Sequence, residues 1–487
     1  MTRRAEVAGV AAVTGAAMLV VLAMLAVGTT HAPAEELGGE WGDERATAGV
    51  QDAASSAIAE NDAATLIAIG EDLFKAKFTT EDGAGRPMAT QAIIPTERRR
   101  PAPAAFRRSS GPDANSCAGC HNDPVAGAAG DFAVNVFVSE GFNNADFDSL
   151  DPQFSNERGT TALQGAGLVE LLAREMSRDL QAQRSAALAD ARATETPVRI
   201  SLETKGVTFG QLTANPDGTV DLSQIEGVDP DLVIRPFSQK GVMTSLRQFT
   251  VNALNHHHGI QPVERFGIRW TGKPDFDQDG IANEMDVAAV SALVAFQAAL
   301  PPPGRAADMP DDWRAAAASG EALFGEIGCA ACHRPALPLE DTTFHDPGPL
   351  DAAGTLRAGE ARETSVYDLA RLPGFETLER NADGHILVPL FGDLKRHVIA
   401  DARHDRLGNE LLAQRFVERN IFMTAELWGV GSTAPYGHRG DITTLRAMII
   451  AHGGDAGASR EAFEALQPGE RNAIIGFLRT LTISDNR

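Results

Sequence analysis

Positive charge and cysteine are both in short supply. Lysine and arginine number 43 against 66 aspartates and glutamates, a formal net charge of -23. So acidic a chain is repelled by a phosphate backbone, and nucleic acid is not an expected partner; a basic protein surface would be drawn in instead. Only four cysteines occur in 487 residues, all in two short segments. None is left over for a structural disulfide or a Cys₄ zinc site. The run from Val7 to Val27 is about long enough to span a bilayer.

That run follows Arg3 and Arg4, and Ala32-Pro-Ala34 then offers small residues for cleavage before Glu35 and Glu36. The pattern is that of an export signal over 1–34, which places the mature chain in the periplasm; membrane attachment follows only if the segment is retained. The remaining length is enough for two or three domains with sizeable cores.

The cysteine segments are Cys117-Ala-Gly-Cys120-His121 and Cys329-Ala-Ala-Cys332-His333, the same C-x-x-C-H signature twice. Two thiols at this spacing can each add to one vinyl group of a single haem, and the next residue places an imidazole on the iron. Two covalently bound c-type haems are therefore expected, with His121 and His333 as iron ligands. Covalent haem attachment in bacteria takes place outside the cytoplasmic membrane, in agreement with the export signal.

Periodicity predicts a mainly α chain. Leu168, Leu171, Leu172 and Met176 recur at helical spacing over 167–193. After Pro197 the period changes to two, with Val198, Ile200 and Leu202, then Val207 and Phe209, and, past a turn at Asn215-Pro-Asp-Gly218, Val220 and Leu222. This makes 197–235 a small β-rich insertion. Leu300-Pro-Pro-Pro-Gly304 is the best domain boundary, because its prolines end one helix and the next, Trp313 to Ile327, leads into the second signature. The expected organisation is an N-terminal haem domain over 35–300 and a C-terminal one over 301–487.

Gly70-Glu-Asp-Leu-Phe74, Gly320-Glu-Ala-Leu-Phe324, Thr433-Ala-Pro-Tyr-Gly-His-Arg-Gly440 and Phe477-Leu-Arg-Thr-Leu481 resemble the bacterial di-haem cytochrome c peroxidase superfamily. The stretch from Leu427-Trp-Gly-Val-Gly431 to His452-Gly-Gly-Asp-Ala456 is most similar to its di-haem oxidoreductase branch. The resemblance covers about residues 65–485. It implies two cytochrome c-like domains packed across an interface, one haem passing electrons and the other reacting with peroxide or another small oxidant. It also implies His452 as sixth ligand of the C-terminal haem, with His438 as second choice. Capping the end of a helix over 442–452 is the other role open to His452.

At the N-terminal haem the resemblance places the distal groups on His256-His257-His258, with Glu264 as a nearby carboxylate. The chain departs from the peroxidase pattern there. Gln239 stands where peroxidases carry a tryptophan between the haems, and Phe249 where they carry a distal glutamine. A histidine can move the proton that peroxide cleavage needs, or can bind the iron and close the site. On a regular helix or strand only one or two of the three histidines can face the haem.

Asp275-Phe-Asp277-Gln-Asp279-Gly280-Ile281-Ala-Asn283-Glu284-Met-Asp286 has the spacing of a calcium loop. Asp275, Asp277 and Asp279 take positions 1, 3 and 5, Gly280 makes the turn, Ile281 offers a carbonyl, Asn283 takes position 9 and Asp286 closes the loop. An acidic turn without metal is the alternative. Two classes of function remain: a periplasmic di-haem oxidoreductase, peroxidase-like or oxidising side chains of a partner protein, and a non-catalytic electron carrier. The expected electron donor is a small basic cytochrome or a copper protein.

Overall fold

The computed structural model describes residues 44–89, 96–106, 114–135, 157–306, 308–350, 354–362, 364–410 and 417–483. The expected export segment, 1–34, lies outside them. Nine α-helices of seven or more residues organise the described residues: α1 (Val50–Ala59), α2 (Ala63–Lys75), α3 (Ala166–Thr194), α4 (Leu246–Ala253), α5 (Val287–Ala298), α6 (Asp311–Glu326), α7 (Leu445–Ala451), α8 (Gly457–Ala465) and α9 (Pro468–Thr480). Among the described residues, no helix is long and apolar enough to cross a membrane.

Two helix pairs repeat one design. In the first, Asp62 caps α2 by accepting from Thr65 N at 3.0 Å, and Leu66, Gly70, Leu73 and Phe74 form its buried stripe. That stripe packs on α5, in which every residue from Ala288 to Ala298 is buried. Gly70 lies at the crossing, so close that a Cβ there would stand 1.9 Å from the Ala292 carbonyl oxygen. In the second pair, α6 packs on α9, and a Cβ on Gly320 would stand 2.0 Å from the Ala473 carbonyl oxygen. Four residues on from each glycine is a phenylalanine. Phe74 meets Phe296 of α5 at 5.0 Å between ring centroids, and Phe324 meets Phe477 of α9 at 5.5 Å. The two Gly-Glu-x-Leu-Phe stretches are thus the same helix-crossing device used twice.

Between the pairs, α3 carries a three-stranded antiparallel sheet, Val198–Thr204, Val207–Ala214 and Val220–Ile225, in sequential order. Its strands bury Leu202, Val207, Phe209 and Leu212 against the helix and leave the alternate residues outward. The prolines at 301–303 do end α5, but they do not divide the hydrophobic core. One large core takes residues from Leu163 to Leu300 together with Leu337, Leu339, Phe344, Tyr367, Phe375, Ile386, Val388 and Trp428. A smaller core holds α6 and α9 through Phe324, Phe463, Ile474 and Phe477. The ladder of Gly304–Arg305 with Leu481–Thr482 ties the start of the second half to its end.

Candidate haem-binding cavity

Each cysteine signature is a single tight turn. Cys120 N and His121 N both donate to Cys117 O, at 3.1 and 3.0 Å, and His333 N donates to Cys329 O at 3.0 Å. The turn puts the thiols and the imidazole of each signature on the wall of one cavity of about 860 Å³, and both signatures line it. All four cysteines are unpaired. Burial pushes the Cys117 thiol up to about 12 and the Cys329 thiol to about 11, so both are neutral.

The signature histidines are aimed by their backbone partners. Nδ1 of His121 lies 3.3 Å from Ala128 O, and Nδ1 of His333 lies 3.2 Å from Phe391 O. A ring that donates from Nδ1 presents the Nε2 lone pair to a metal. Burial depresses each imidazole to about 4, helped by His257 beside His121 and by His452 beside His333, so both are neutral bases. Phe74 and Phe324 brace the rings at centroid distances of 6.1 and 6.3 Å.

His452 faces His333. It ends α7, its Nδ1 lies 2.8 Å from Met448 O, and its ring centroid stands 6.5 Å from that of His333 with the planes at 62°. This separation matches two imidazoles bound through nitrogen to one metal by bonds of about 2 Å. The capping and ligand roles are therefore compatible, because the capping hydrogen bond uses Nδ1 and leaves Nε2 for the cavity. His438 also lines the cavity, stacked on Phe422 at 4.5 Å, with its buried Nε2 lacking a hydrogen-bond partner. Burial and the cations Arg158, Lys240 and Arg439 push it down to about 2.

On the N-terminal side the helix changes pitch. After α4 the chain makes a π turn over Leu254–His258, ended by Gly259 at φ +72°. Such turns concentrate at functional sites, and here the wider turn brings His256, His257 and His258 all to the cavity wall. The expectation that at most two could face it rested on regular helix or strand geometry. Nδ1 of His258 is 2.7 Å from Ala114 O and its Nε2 is 3.4 Å from Cys117 Sγ, so this ring steadies the signature loop. Burial first, and then His257, Arg86 and His121, depress it to about 3. The charge of His257 acts on both His121 and His258, and that of His121 acts on His258 as well, so the three rings are neighbours. His256 meets His257 edge-on at 6.4 Å.

Glu264 does not join them. It is absent from the cavity wall and is bound by Arg247, with Nη2 2.6 Å from Oε2, while the other arm of Arg247 reaches Asp346 at 2.7 Å. It is a buried structural ion pair and not a distal carboxylate. Gln239 and Phe249, by contrast, do line the cavity.

Sequence reasoning passed over three wall residues. Trp428 is buried so close to Gly165 that a Cβ there would lie 2.3 Å from the indole. Glu426 is lifted by burial to about 7. His397 is opposed by burial but held by Asp393, with Nε2 2.8 Å from Oδ2, and rises to about 10. Trp428 falls in the Leu427–Gly431 stretch that carries the family resemblance, and His397 follows an aspartate by four residues, whereas Glu426 has no such signal.

In the acidic loop, carboxylate oxygens of Asp275, Asp277 and Asp279 come within 4.8 Å of one another. Ile281 N donates to Asp279 Oδ1 at 2.7 Å, and Asn283, at φ +56°, donates its N–H to Pro274 O. Asp286 departs from the expected role. It caps α5, accepting from Ala289 N at 2.8 Å, and its charge is coupled to Asp52 and Arg247. The carboxyl group that feels all three loop aspartates is Glu284.

No family profile and no curated protein sequence matches the chain. Among solved structures it is distantly similar to Kuenenia stuttgartiensis hydrazine synthase, with 12% identity over 85% of this chain and 87% of that one, at a TM-score of 0.32. It is also distantly similar to a MauG-like protein associated with microbial copper homeostasis, with 15% identity over 55% of this chain and 77% of that one, at a TM-score of 0.27.

Proposed function

We propose that the mature chain is a periplasmic di-haem c-type cytochrome of mainly α, cytochrome c-like construction that acts as a peroxidase-like oxidoreductase. The observation that carries this reading is the unequal histidine environment of the two signatures within one cavity: His333 faces a single opposed ring, His452, whereas the three-histidine turn lies against the first signature, with His258 Nε2 3.4 Å from Cys117 Sγ.

Cys117 and Cys120 would hold one haem and Cys329 and Cys332 the other, with His121 and His333 on the irons. Haem, when bound, supplies one-electron transfer and the activation of a small oxidant. His452 fills the position opposite His333, which suits that side to electron transfer. His257, which lines the cavity and acts electrostatically on both His121 and His258, is placed to take up and return a proton beside the N-terminal site. His258 positions the signature loop. The acidic surface would steer a basic donor, such as a small cytochrome or a copper protein.

The test is the spin state of the as-isolated and half-reduced protein, followed by peroxide. The C-terminal haem should be low-spin and become high-spin in His452→Ala. The N-terminal haem should be, or become on half-reduction, open to an external ligand and reactive with peroxide. Replacing His257 should slow peroxide turnover by about a hundredfold or more, the usual cost of losing an acid/base. The nearness of His257 to His121 also favours a second reading, in which His257 binds iron and the protein only carries electrons. Two haems that stay low-spin in every redox state, with no response to peroxide, would select it.

A further inference from the structure

We propose that Arg158, Ser238 and His438 form a carboxylate-binding corner in the wall of the candidate haem cavity, where residues of the two halves of the chain meet. All three line the cavity. Each also carries a buried side-chain atom that lacks a hydrogen-bond partner among the described residues: Nε of Arg158, Oγ of Ser238 and Nε2 of His438. Arg158 is 5% exposed and His438 7%. Leaving three such groups unsatisfied is costly, and the side of the corner that the chain leaves open is the cavity.

Hydrogen bonds stitch the three segments together. Gly159 N donates to His438 O at 2.9 Å, and Gln239 Nε2 donates to Gly159 O at 3.3 Å. Ser238 is held at φ +68°, a conformation uncommon outside glycine. Charge gives the corner its preference. Arg158 and Lys240 converge on one carboxylate, Glu410, at 2.6 and 2.7 Å, with the three side chains 6%, 0% and 1% exposed. Glu410 neutralises one of these two cations. Lys240 also donates to the carbonyls of Glu418, Arg419 and Ile421, which satisfy its hydrogen bonds and leave its charge. Glu418 acts on Lys240 from an exposed position, and the third cation, Arg439, is taken by Glu157. One positive charge is thus buried without a buried counter-ion. A carboxylate meets both needs, because its two oxygens accept from Arg158, Ser238 and His438 while its charge offsets the surplus cation. His452 already stands opposite His333, so Nε2 of His438 is left for this partner.

Two sources can supply the carboxylate, a propionate of an attached haem or a free carboxylate in the cavity. The first rests on haem at the two signatures; a failed haem stain would remove that reading and leave the second testable. The haem-loaded protein is compared with Ser238→Ala and Arg158→Lys by resonance Raman spectroscopy at the propionate bending bands, and each is titrated calorimetrically with formate. Ser238→Ala leaves every buried ion pair in place and should melt close to wild type; Arg158→Lys keeps the charge and removes Nε. A propionate band that shifts in both variants assigns the carboxylate to haem. Unchanged bands, with formate bound by the wild type and about tenfold more weakly by each variant, assign it to a free carboxylate. Arg439→Gln is the control. Arg439 is not in the cavity wall, so this variant should lower thermal stability and leave the bands and the formate affinity as in wild type. Bands that ignore both variants, together with no formate binding or binding that the variants leave unchanged, would overturn the site, and so would an equal response in Arg439→Gln.

Discussion

His438 sits where its own charge is least welcome. Arg158 and Lys240 converge on Glu410, at 2.6 and 2.7 Å, and Lys240 lies 3.5 Å from the centre of the Phe422 ring that stacks on His438. The folded state therefore keeps the imidazole neutral down to about pH 2, whereas the unfolded chain takes up its proton near 6.5. The unfolded state binds more protons between those values, so stability falls as pH drops below 6.5. This one group should contribute about 1.4 kcal/mol of loss per pH unit well below 6.5. His438→Phe keeps the stack and removes the proton site. Its unfolding free energy, measured by denaturant between pH 6 and 4, should fall less steeply than that of the wild type by that amount. Equal slopes would mean that His438 is not buried among those cations.

At the scale of elements, the two Gly-Glu-x-Leu-Phe stretches make a separate prediction. Adding a methyl group to Gly70 or Gly320 drives it into a backbone carbonyl of the partner helix, which cannot withdraw as a side chain could. Each alanine should cost about 1–3 kcal/mol or more in overpacking. Gly476, on α9 with nothing within 4 Å of a Cβ, is the control, and Gly476→Ala should stabilise by about 0.5–1 kcal/mol. Chemical denaturation of the three variants checks this, and equal effects at all three positions would sink the crossing argument.

The elements also show how far the sequence could be read. Helical spacing at Leu168, Leu171, Leu172 and Met176 and the alternation after Pro197 are local signals, and the helix and sheet found there follow them. The His256–His258 turn was legible only in composition. Its π geometry is fixed by hydrogen bonds from Gly259 and Ile260 back to Leu254, which no periodicity announces. Glu264 and Asp286 had the right spacing and the wrong neighbours. Arg247, itself inconspicuous in sequence, binds the first, and the start of α5 takes the second.

For the whole molecule, Leu300-Pro-Pro-Pro-Gly304 reads as a boundary because proline punctuates backbone, but cores are assembled across backbone breaks. α3 belongs to the first half, yet Glu175 accepts from Glu340 N and Asp341 N, and Arg174 donates to His345 O and covers the Phe344 ring at 4.8 Å. Arg247 likewise depends on Asp346. A fragment of residues 45–300 would keep Arg247 buried with half its counter-charge and expose the apolar face that Leu337, Leu339 and Phe344 cover. Losing one partner of such a buried ionic group costs about 3–5 kcal/mol, comparable with the whole stability of many domains. Expressed alone, this fragment should be insoluble or melt far below the intact chain, and co-expression with 301–487 should restore it. A fragment that attaches its haem and melts as high as the full-length protein would show that the halves are independent domains after all.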